Sequence, residues 1–437
     1  MMRAILAGLI CLLFAGPLSA EVKIQEVTSP GGLKAWLVEE HGIPFTALEL
    51  RFRGGTSVDA PGKRGAVMLM AGLLEEGAAD LDAQGFAEAR ESLAAKYSFD
   101  ADADSVSISA QFLTENRDQA VDLLRKALVE PRFEQSAVDR VRGQILSIIQ
   151  SHATDPQDIA SETYNHIAFG DHPYGSSDLG TLESVKALTR DDVVAAKAAS
   201  MAKDQLYISA VGDITPEQLG ALMDHLLGDL PAKGAPQPGD ATLNLNGGIT
   251  VVPFETPQSV IIFGQKGLKL TDPDYYSAFV LNQIIGGSGF TARLMNEVRE
   301  KRGLTYGVSS SLMSMDHAQT WQGGLASDNR KAAEAIKVIR DVWSGVAKTG
   351  VTEAELDAAK TYMTGSYPLR FDGNDNIASI LVGMQMEGLP IDYVSHRNEK
   401  IEAVTLADVN RVAGTLMTPD KLTFVVVGKP EGVTTRP

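Results

Sequence analysis

The histidines and the cysteine that could bind a metal ion are spread along this chain, and their spacing matches no known ligand motif. No two of the seven histidines stand four residues apart, so no helix can present a pair of imidazoles to one ion. The histidines are His41, His152, His166, His172, His225, His317 and His396. A single cysteine excludes a disulfide framework, a cysteine-based zinc site and an iron–sulfur cluster. Taken alone, the residues indicate no active site within the chain.

Other catalytic patterns are incomplete as well. Residues 286–289 read Gly-Gly-Ser-Gly, which is close to a serine-hydrolase nucleophile elbow, but Phe290 stands where the last glycine is required. No Walker loop or dinucleotide fingerprint follows a strand pattern. His172 lies in a turn-like sequence, residues 170–175, and we expect it to hydrogen-bond the backbone there.

The charge and composition exclude further classes. The 39 basic and 56 acidic side chains give a formal net charge of −17, which disfavours nucleic-acid binding. The hydrophobic fraction of 44% and the charged fraction of 22% are ordinary for a soluble globular protein.

The first twenty residues have the pattern of a secretory signal. Arg3 is their only charge, residues 4–15 are apolar, and residues 17–20 end in small side chains. The apolar run is shorter than the ~20 residues that a membrane span needs. We therefore expect cleavage after Ala20, which would remove the only cysteine. We also expect the protein to be periplasmic or otherwise exported, with no membrane span in the remaining chain.

Strands and helices that could position a site follow clear patterns. Residues 48–52 and 106–112 alternate apolar with polar, which predicts strands with one buried face in a mainly antiparallel sheet. Residues 206–211 and 422–427 are more continuously apolar, as central strands are. Capping boxes at Thr215 and Thr352 predict helix starts, and Asp272-Pro273 predicts another.

The two halves of the chain repeat each other. Thr189, Asp204 and Gly212 have counterparts of the same type 216 residues further on, at a helix cap, a strand start and a strand end. The fold class is therefore α+β, with two homologous domains, each a mainly antiparallel sheet packed with helices, arranged as a clamp. We place the N-terminal domain at residues 21–227, a linker rich in proline and glycine at 228–248, and the C-terminal domain at 249–437.

The glycine-rich stretch at residues 286–311 carries the most information. It reads GGSGFTARLMNEVREKRGLTYGVSSS. It resembles the C-terminal half of the pitrilysin/insulinase-type zinc peptidases, the inverzincins, in which a glycine-rich segment, an R-L pair and an L-R-x-K-x-G-L-x-Y run lead into a strand. The resemblance extends over nearly the whole chain beyond the leader and is supported by residues 172–175, 180–181 and 188–192.

The resemblance also implies where a zinc motif would stand. The family's H-x-x-E-H motif supplies two zinc-binding histidines and a glutamate that acts as the general base. Aligned on the glycines of residues 65–77, a stretch that we predict to be helical, these positions hold Met68, Ala71 and Gly72. The nearby Glu75 and Glu76 are expected on the surface.

The third zinc ligand of the family is a glutamate on a later helix, predicted here at residues 137–150. The aligned position holds Ile148. Side chains of these types cannot hold zinc, so we expect no metal or other cofactor in this chain and no catalysis by the chain alone.

The resemblance further implies that a second part of the machinery is kept. In relatives, an arginine and a tyrosine of the C-terminal half hold the substrate backbone and support the oxyanion, and these positions hold Arg299 and Tyr306. The glycines of the loop, Gly286, Gly287 and Gly289, would lie against the peptide.

Some family members work as unlike pairs in which one subunit carries H-x-x-E-H and zinc. The resemblance therefore implies a non-catalytic subunit of a heterodimeric zinc metallopeptidase, whose partners are a zinc-bearing H-x-x-E-H homologue and a peptide substrate. A homodimer remains open. So do two alternatives without proteolysis, a scaffold of the same fold and a peptide-binding protein.

Overall fold

The computed structural model describes residues 23–437 apart from residues 288 and 290, so the predicted leader lies outside the described residues. Its strands, in chain order, are β1 (Gln25–Thr28), β2 (Lys34–Glu39), β3 (Phe45–Arg53), β4 (Gly77–Ala78), β5 (Leu81–Asp82), β6 (Lys96–Ala101), β7 (Ser105–Leu113), β8 (Leu206–Gly212), β9 (Ile249–Pro253), β10 (Gln258–Lys266), β11 (Val308–Ser314), β12 (Gln319–Asp328) and β13 (Thr423–Gly428).

The α-helices between them are α1 (Ala66–Ala71), α2 (Ala83–Ser92), α3 (Arg117–Val129), α4 (Gln135–His152), α5 (Pro156–Phe169), α6 (Leu182–Ala187), α7 (Arg190–Ser200), α8 (Pro216–Leu227), α9 (Tyr275–Gly286), α10 (Ala332–Thr349), α11 (Glu353–Ser366), α12 (Asn374–Met386), α13 (Tyr393–Glu402) and α14 (Leu406–Leu416). A π-helical segment occupies Met295–Glu300.

Two mixed sheets organise the molecule. The N-terminal sheet has the order β1-β2-β8-β3-β7-β6, and the C-terminal sheet has the order β11-β12-β10-β13-β9. All their strand pairs are antiparallel except β2 with β8 and β9 with β13. This arrangement confirms the α+β fold class with two similar domains.

The repeat extends to individual hydrogen bonds. The hydroxyls of Thr189 and Thr405 each cap a helix and each take part in a capping box with an aspartate three residues later. β8 and β13 both end at a glycine with positive φ, Gly212 at 138° and Gly428 at 152°. A side chain at either position would collide with the neighbouring strand, which explains why glycine recurs at the repeat distance.

Each sheet is covered on one face by helices of its own half and on the other by a helix from the opposite half. α5 of the N-terminal half packs on β13 and β10, and α12 of the C-terminal half packs on β8 and β3. The prediction that β3 has a single buried face is therefore wrong. Its polar face is covered by α12, and only 5% of Glu49 is exposed.

Several predicted element boundaries shift. The capping boxes at Thr215 and Thr352 are confirmed. The helix expected from Asp272 begins instead at Tyr275, because Asp272 accepts a hydrogen bond from the N–H of Asp274 within a preceding turn. Residues 228–248 contain no helix or strand. No helix in the described residues has the length and apolar character needed to cross a membrane.

Candidate functional site

The helix aligned with the zinc motif is short. The Asp59 carboxylate accepts hydrogen bonds from the N–H groups of Gly65 (2.8 Å) and Val67 (2.9 Å), which fixes the start of α1. The predicted extension to residue 77 is wrong, since α1 ends at Ala71, turns follow, and β4 begins at Gly77. A helix of this length presents few positions to solvent.

The motif positions differ in exposure, and Gly72 is exposed. Ala71 is buried and Met68 is half-buried. A Cβ atom at Gly72 would lie 3.1 Å from Cγ1 of Val141 on α4, so α4 packs closely against this position. The fourth position, Ile148, is 43% exposed and lines a cavity of about 580 Å³ between the two halves.

These four side chains do not fit a zinc ion. One thioether, one methyl, one hydrogen and one branched alkyl group offer no imidazole, carboxylate or thiolate donor. Among residues 23–437 without 288 and 290, no cluster of three or more His, Cys, Asp or Glu side chains could hold a metal.

The two carboxylates after α1 form ion pairs away from these positions. Glu75 lies 2.8 Å from Nη1 of Arg90 and is exposed, as predicted. Glu76 forms a two-pronged pair with Arg140 of α4, and only 16% of its side chain is exposed. Glu76 is therefore half-buried within an ion pair at the surface, less exposed than Glu75.

His172 has the backbone role that the sequence predicted. Its Nδ1 accepts a hydrogen bond from the N–H of Tyr174 (3.2 Å), and its Nε2–H donates to the carbonyl oxygen of Gly239 (3.0 Å). Burial lowers the pKa of His172, which favours this neutral tautomer.

The glycine-rich segment packs tightly at one end and is open at the other. α9 ends at Gly286, where a Cβ atom would lie 2.2 Å from Oγ and 2.8 Å from N of Ser310. Gly289 has φ of 112° and open space around it. A shallow groove of about 260 Å³ follows, lined by Gly287, Gly289, Met295, Gly307, Val308, Ser309 and Gly324.

Arg293, the arginine of the R-L pair, has a structural role. Its Nε and Nη2 lie 2.7 Å from Oε1 and Oε2 of Glu355, and Nη2 also donates to the carbonyl of Gly350 (3.3 Å). The same Glu355 completes the capping box of α11 with Thr352. The fork of Arg293 lowers the pKa of Glu355 to about 2.

Arg299 lies on the π-helical segment, which sequence patterns did not predict. Val298 beside it is buried in the C-terminal core, whereas 33% of the Arg299 side chain is exposed. Its guanidinium lies 3.6 Å from the carboxylate of Glu300. Single π turns within helices are frequent at functional sites, since the widened turn changes which side chain points outward.

The loop that carries Tyr306 is braced by two hydroxyls that the sequence analysis did not single out. Oγ of Ser327 donates to the carbonyl of Leu304, and Oγ1 of Thr305 lies 2.7 Å from the carbonyl oxygen of Ala326. Tyr306 itself is 86% exposed. The fold therefore holds this backbone in place and leaves the phenol in solvent beside the glycine groove. The Thr305 brace depends on the carbonyl of Ala326 on β12, so the sequence of the loop itself carries no signal for it.

Comparison with known proteins places both halves of the chain. The family model described as Insulinase (Peptidase family M16) matches residues 35–182, and the one described as Peptidase M16 inactive domain matches residues 187–363.

A protein of Helicobacter pylori named Non-peptidase homolog YmxG is 27% identical over 432 residues, 98% of each chain. An uncharacterized zinc protease of Mycobacterium leprae is 25% identical over 90% of this chain and 89% of its own.

A crystal structure of a peptidase M16 inactive domain from Pseudomonas fluorescens superposes with a TM-score of 0.87 at 29% identity. It covers 95% of this chain and 99% of its own. The two family matches together span most of the chain, the fold is shared, and the motif positions cannot bind zinc. The chain therefore belongs to peptidase family M16, with a domain of the inactive type.

Proposed function

We propose that this chain is the exported, zinc-free subunit of a heterodimeric zinc metallopeptidase. In this role it supplies Arg299, Tyr306 and the loop of Gly286, Gly287 and Gly289 to a site whose zinc and general base belong to the partner. The observation that carries the proposal is the exposed phenol of Tyr306 on a loop braced by the buried hydrogen bond from Ser327 to Leu304 and by the contact of Thr305 with Ala326.

The chemistry of these groups suits peptide hydrolysis. A guanidinium presents a planar fork of donors to a peptide carbonyl or carboxylate. A phenol donates one hydrogen bond where negative charge develops on a tetrahedral intermediate. Glycines beside them let a peptide backbone approach closely. None of these groups breaks the peptide bond without a partner that activates water.

A second candidate is a non-proteolytic scaffold or peptide-binding protein of the same fold. The short distance from Arg299 to Glu300 favours it, because the guanidinium then has an ion-pair partner along its own helix. The name Non-peptidase homolog, given to the Helicobacter pylori relative, favours it as well. Under this proposal Arg299 and Tyr306 have no part in cleavage.

The first experiment asks for the partner and for its activity. A pull-down of the tagged chain from the native periplasm should recover an H-x-x-E-H homologue, and elemental analysis should place zinc on that homologue. The two purified proteins together should cleave a peptide, and each protein alone should show a lower rate of cleavage than the mixture. Failure to recover such a homologue, or cleavage unaffected by this chain, would favour the scaffold.

Variants then separate assembly from catalysis. Tyr306→Phe and Arg299→Ala should lower kcat of the mixture about 10-fold or more while co-purification stays intact. Matched controls are Tyr362→Phe, a half-exposed tyrosine on α11, and Arg302→Ala, an arginine just after the π-helical segment. Equal turnover in all four variants would contradict the shared site.

A further inference from the structure

Met295 contributes a sulfur atom to the glycine groove. It is the first residue of the π-helical segment, and it lines the groove together with Val308, Ser309 and glycines from three separate segments. Its side chain is half-buried and packs on the C-terminal core. The thioether therefore lies between that core and the open groove beside Tyr306.

The sulfur has a defined hydrogen-bond donor. The N–H of Val308, the first residue of β11, donates to Sδ of Met295 at 3.5 Å. A thioether is a weak acceptor, so this contact is easily changed by chemistry at the sulfur. Val308 follows Tyr306 by two residues, and Met295 precedes Arg299 by about one turn of the π-helical segment. The contact thus links the segments that carry Arg299 and Tyr306.

The groove gives small molecules a route to this sulfur. A methyl group added at Gly289 or Gly307 would meet nothing within 4 Å, so the space beside these two glycines is open. The groove has a volume of about 260 Å³, which is ample for a molecule the size of hydrogen peroxide, since a single water needs only ~15 Å³. A small oxidant in solution can therefore reach the groove side of Met295.

The predicted export of the chain bears on this chemistry. Cys11, the single cysteine, lies within the predicted leader. Cleavage after Ala20 would leave methionine as the only sulfur-containing residue type, in a compartment that is oxidising. Methionine sulfoxide is the first oxidation product of a thioether side chain, and reductases convert it back to methionine.

We propose that Met295 is a site of reversible oxidation by peroxides, and that its sulfoxide releases the start of β11 and so displaces Tyr306. The sulfur attacks one oxygen of hydrogen peroxide, so that a sulfur–oxygen bond forms and the oxygen–oxygen bond breaks. The sulfur loses two electrons, and the second oxygen leaves as hydroxide. This hydroxide takes the proton of the transferred oxygen and becomes water.

The sulfoxide cannot keep the contact with Val308. The 3.5 Å between nitrogen and sulfur leaves no room for a sulfur–oxygen bond along the same line, since an ordinary N–H···O bond alone takes about 2.9 Å. An oxygen on the other side of the sulfur leaves an electron-poor atom facing the N–H. A polar oxygen is also unfavourable where Met295 packs on the apolar core. In each case the N–H of Val308 loses its acceptor.

Only the consequence for catalysis rests on the proposed function. If Tyr306 takes part in a shared site, oxidation of Met295 should lower the turnover of the mixture with a zinc-bearing partner. The oxidation itself and the release of β11 are properties of the isolated chain. They are measured without a partner, so their failure and the failure of the proposed function are separate results.

Peroxide treatment of the full chain, followed by peptide mass spectrometry, tests whether the sulfur is accessible. Met295 should be oxidised at least about tenfold faster than Met70, which is fully buried, and within about tenfold of Met313, which is 45% exposed. Oxidation of Met295 that is no faster than that of Met70 would overturn the proposal.

Hydrogen exchange tests the structural consequence, with each variant compared before and after peroxide. In Met313→Leu, which keeps Met295, oxidation should speed exchange of the amides of residues 307–309 at least about threefold, because the start of β11 opens more often. Met295→Leu is the matched control, in which peroxide oxidises Met313 near the other end of the same strand and should leave these amides unchanged. Unchanged exchange in oxidised Met313→Leu, or an equal increase in both variants, would overturn the proposal.

Reduction completes the test. A methionine sulfoxide reductase that removes the added oxygen from Met313→Leu should return the exchange of residues 307–309 to its initial rate. Exchange in α5 should stay unchanged throughout, which separates local release from general unfolding. Exchange that stays fast after reduction, or a parallel rise in α5, would contradict local release at Met295.

Discussion

The positions aligned with the zinc motif, at α1 and on α4, differ from the Arg299–Tyr306 segment. The difference lies in how the surrounding residues pack against the side chain at each place. Of the three positions near α1, Ala71 is buried, Met68 is half-buried and Gly72 is exposed, and a Val141 methyl lies 3.1 Å from where a Cβ atom at Gly72 would stand. Around Tyr306 the fold uses hydroxyl-to-carbonyl hydrogen bonds to hold a loop whose aromatic side chain contacts little.

This difference lies in how each site contributes to the stability of the folded chain. An unused cavity loses contact energy, so packing fills it. A large aromatic held in solvent gains almost nothing for the folded state, since its burial would have contributed about 2 kcal/mol. Its exposure on a braced loop is the feature on which the proposed role of Tyr306 rests. Four substitutions test the comparison, in order of decreasing effect.

Gly286→Ala should have the largest effect on stability. The new methyl would lie 2.2 Å from Ser310 Oγ and 2.8 Å from its backbone nitrogen, so α9 or β11 must move. We expect a loss of about 3 kcal/mol in the free energy of unfolding, measured by urea denaturation. Gly307→Ala is the matched control, because nothing lies within 4 Å of its added methyl. Similar stability of the two variants would show that the glycine segment is not tightly packed.

Arg293→Gln should come next, because it breaks the fork to Glu355 and weakens the cap of α11. The expected loss in the free energy of unfolding at neutral pH is about 2 kcal/mol, because the pair is partly exposed and solvent screens part of its attraction. The pair depresses the pKa of Glu355 from 4.5 to about 2. Its contribution is therefore complete above the ordinary pKa and is lost as the pH falls from 4.5 towards 2.

Urea denaturation at several pH values checks this prediction. The parent chain should lose stability across that acidic window more steeply than Arg293→Gln does. Arg293→Lys, which keeps the charge without the fork, should fall between them. Parallel pH profiles for parent and variant would show that the fork contributes nothing.

Gly72→His should cost less, about 1 kcal/mol. The backbone at Gly72 is right-handed helical (φ −66°), so the cost comes from the Val141 methyl that lies 3.1 Å from the new Cβ. Met68→His, at a half-buried position of the same helix, should change stability by about 0.5 kcal/mol or less. Thermal unfolding compares the two. A larger penalty at residue 68 would show that the motif positions are closed at the other end of the helix.

The sequence was a reliable guide where chemistry is local. Capping boxes need only a threonine and an acceptor three residues later, and those at Thr189, Thr215, Thr352 and Thr405 all formed. The alternation of apolar and polar residues predicted β3 and β7 correctly, because that pattern too is local in the sequence. The burial of Glu49 could not be read from its strand, because it depends on α12, which lies more than 300 residues further along the chain.

The candidate site also has features that the sequence predicts and features that it does not. The expectation that the motif positions hold no zinc ligand needs only residue types once the family resemblance has assigned those positions, since no fold can make a donor of Ile148. The π-helical turn at Arg299 and the bracing of Thr305 depend on contacts with β12 and the C-terminal core, which leave no periodic trace in the sequence. The role of Arg299 and Tyr306 remains a prediction.

Tyr306→Ala should have the smallest effect on stability and so gives the sharpest test of the comparison. With 86% of the side chain in solvent, its truncation should change the free energy of unfolding by about 0.5 kcal/mol or less. Thr305→Val, one residue earlier, removes the hydroxyl that donates to the carbonyl of Ala326 and accepts from the N–H of Gly307, and should cost about 1 kcal/mol. If urea denaturation reverses this order, the phenol packs on its own chain, and the argument that it awaits a peptide fails. If the order holds, Thr305 stabilises the loop and the phenol of Tyr306 adds little to the stability of the folded chain, as its proposed role in a composite site requires.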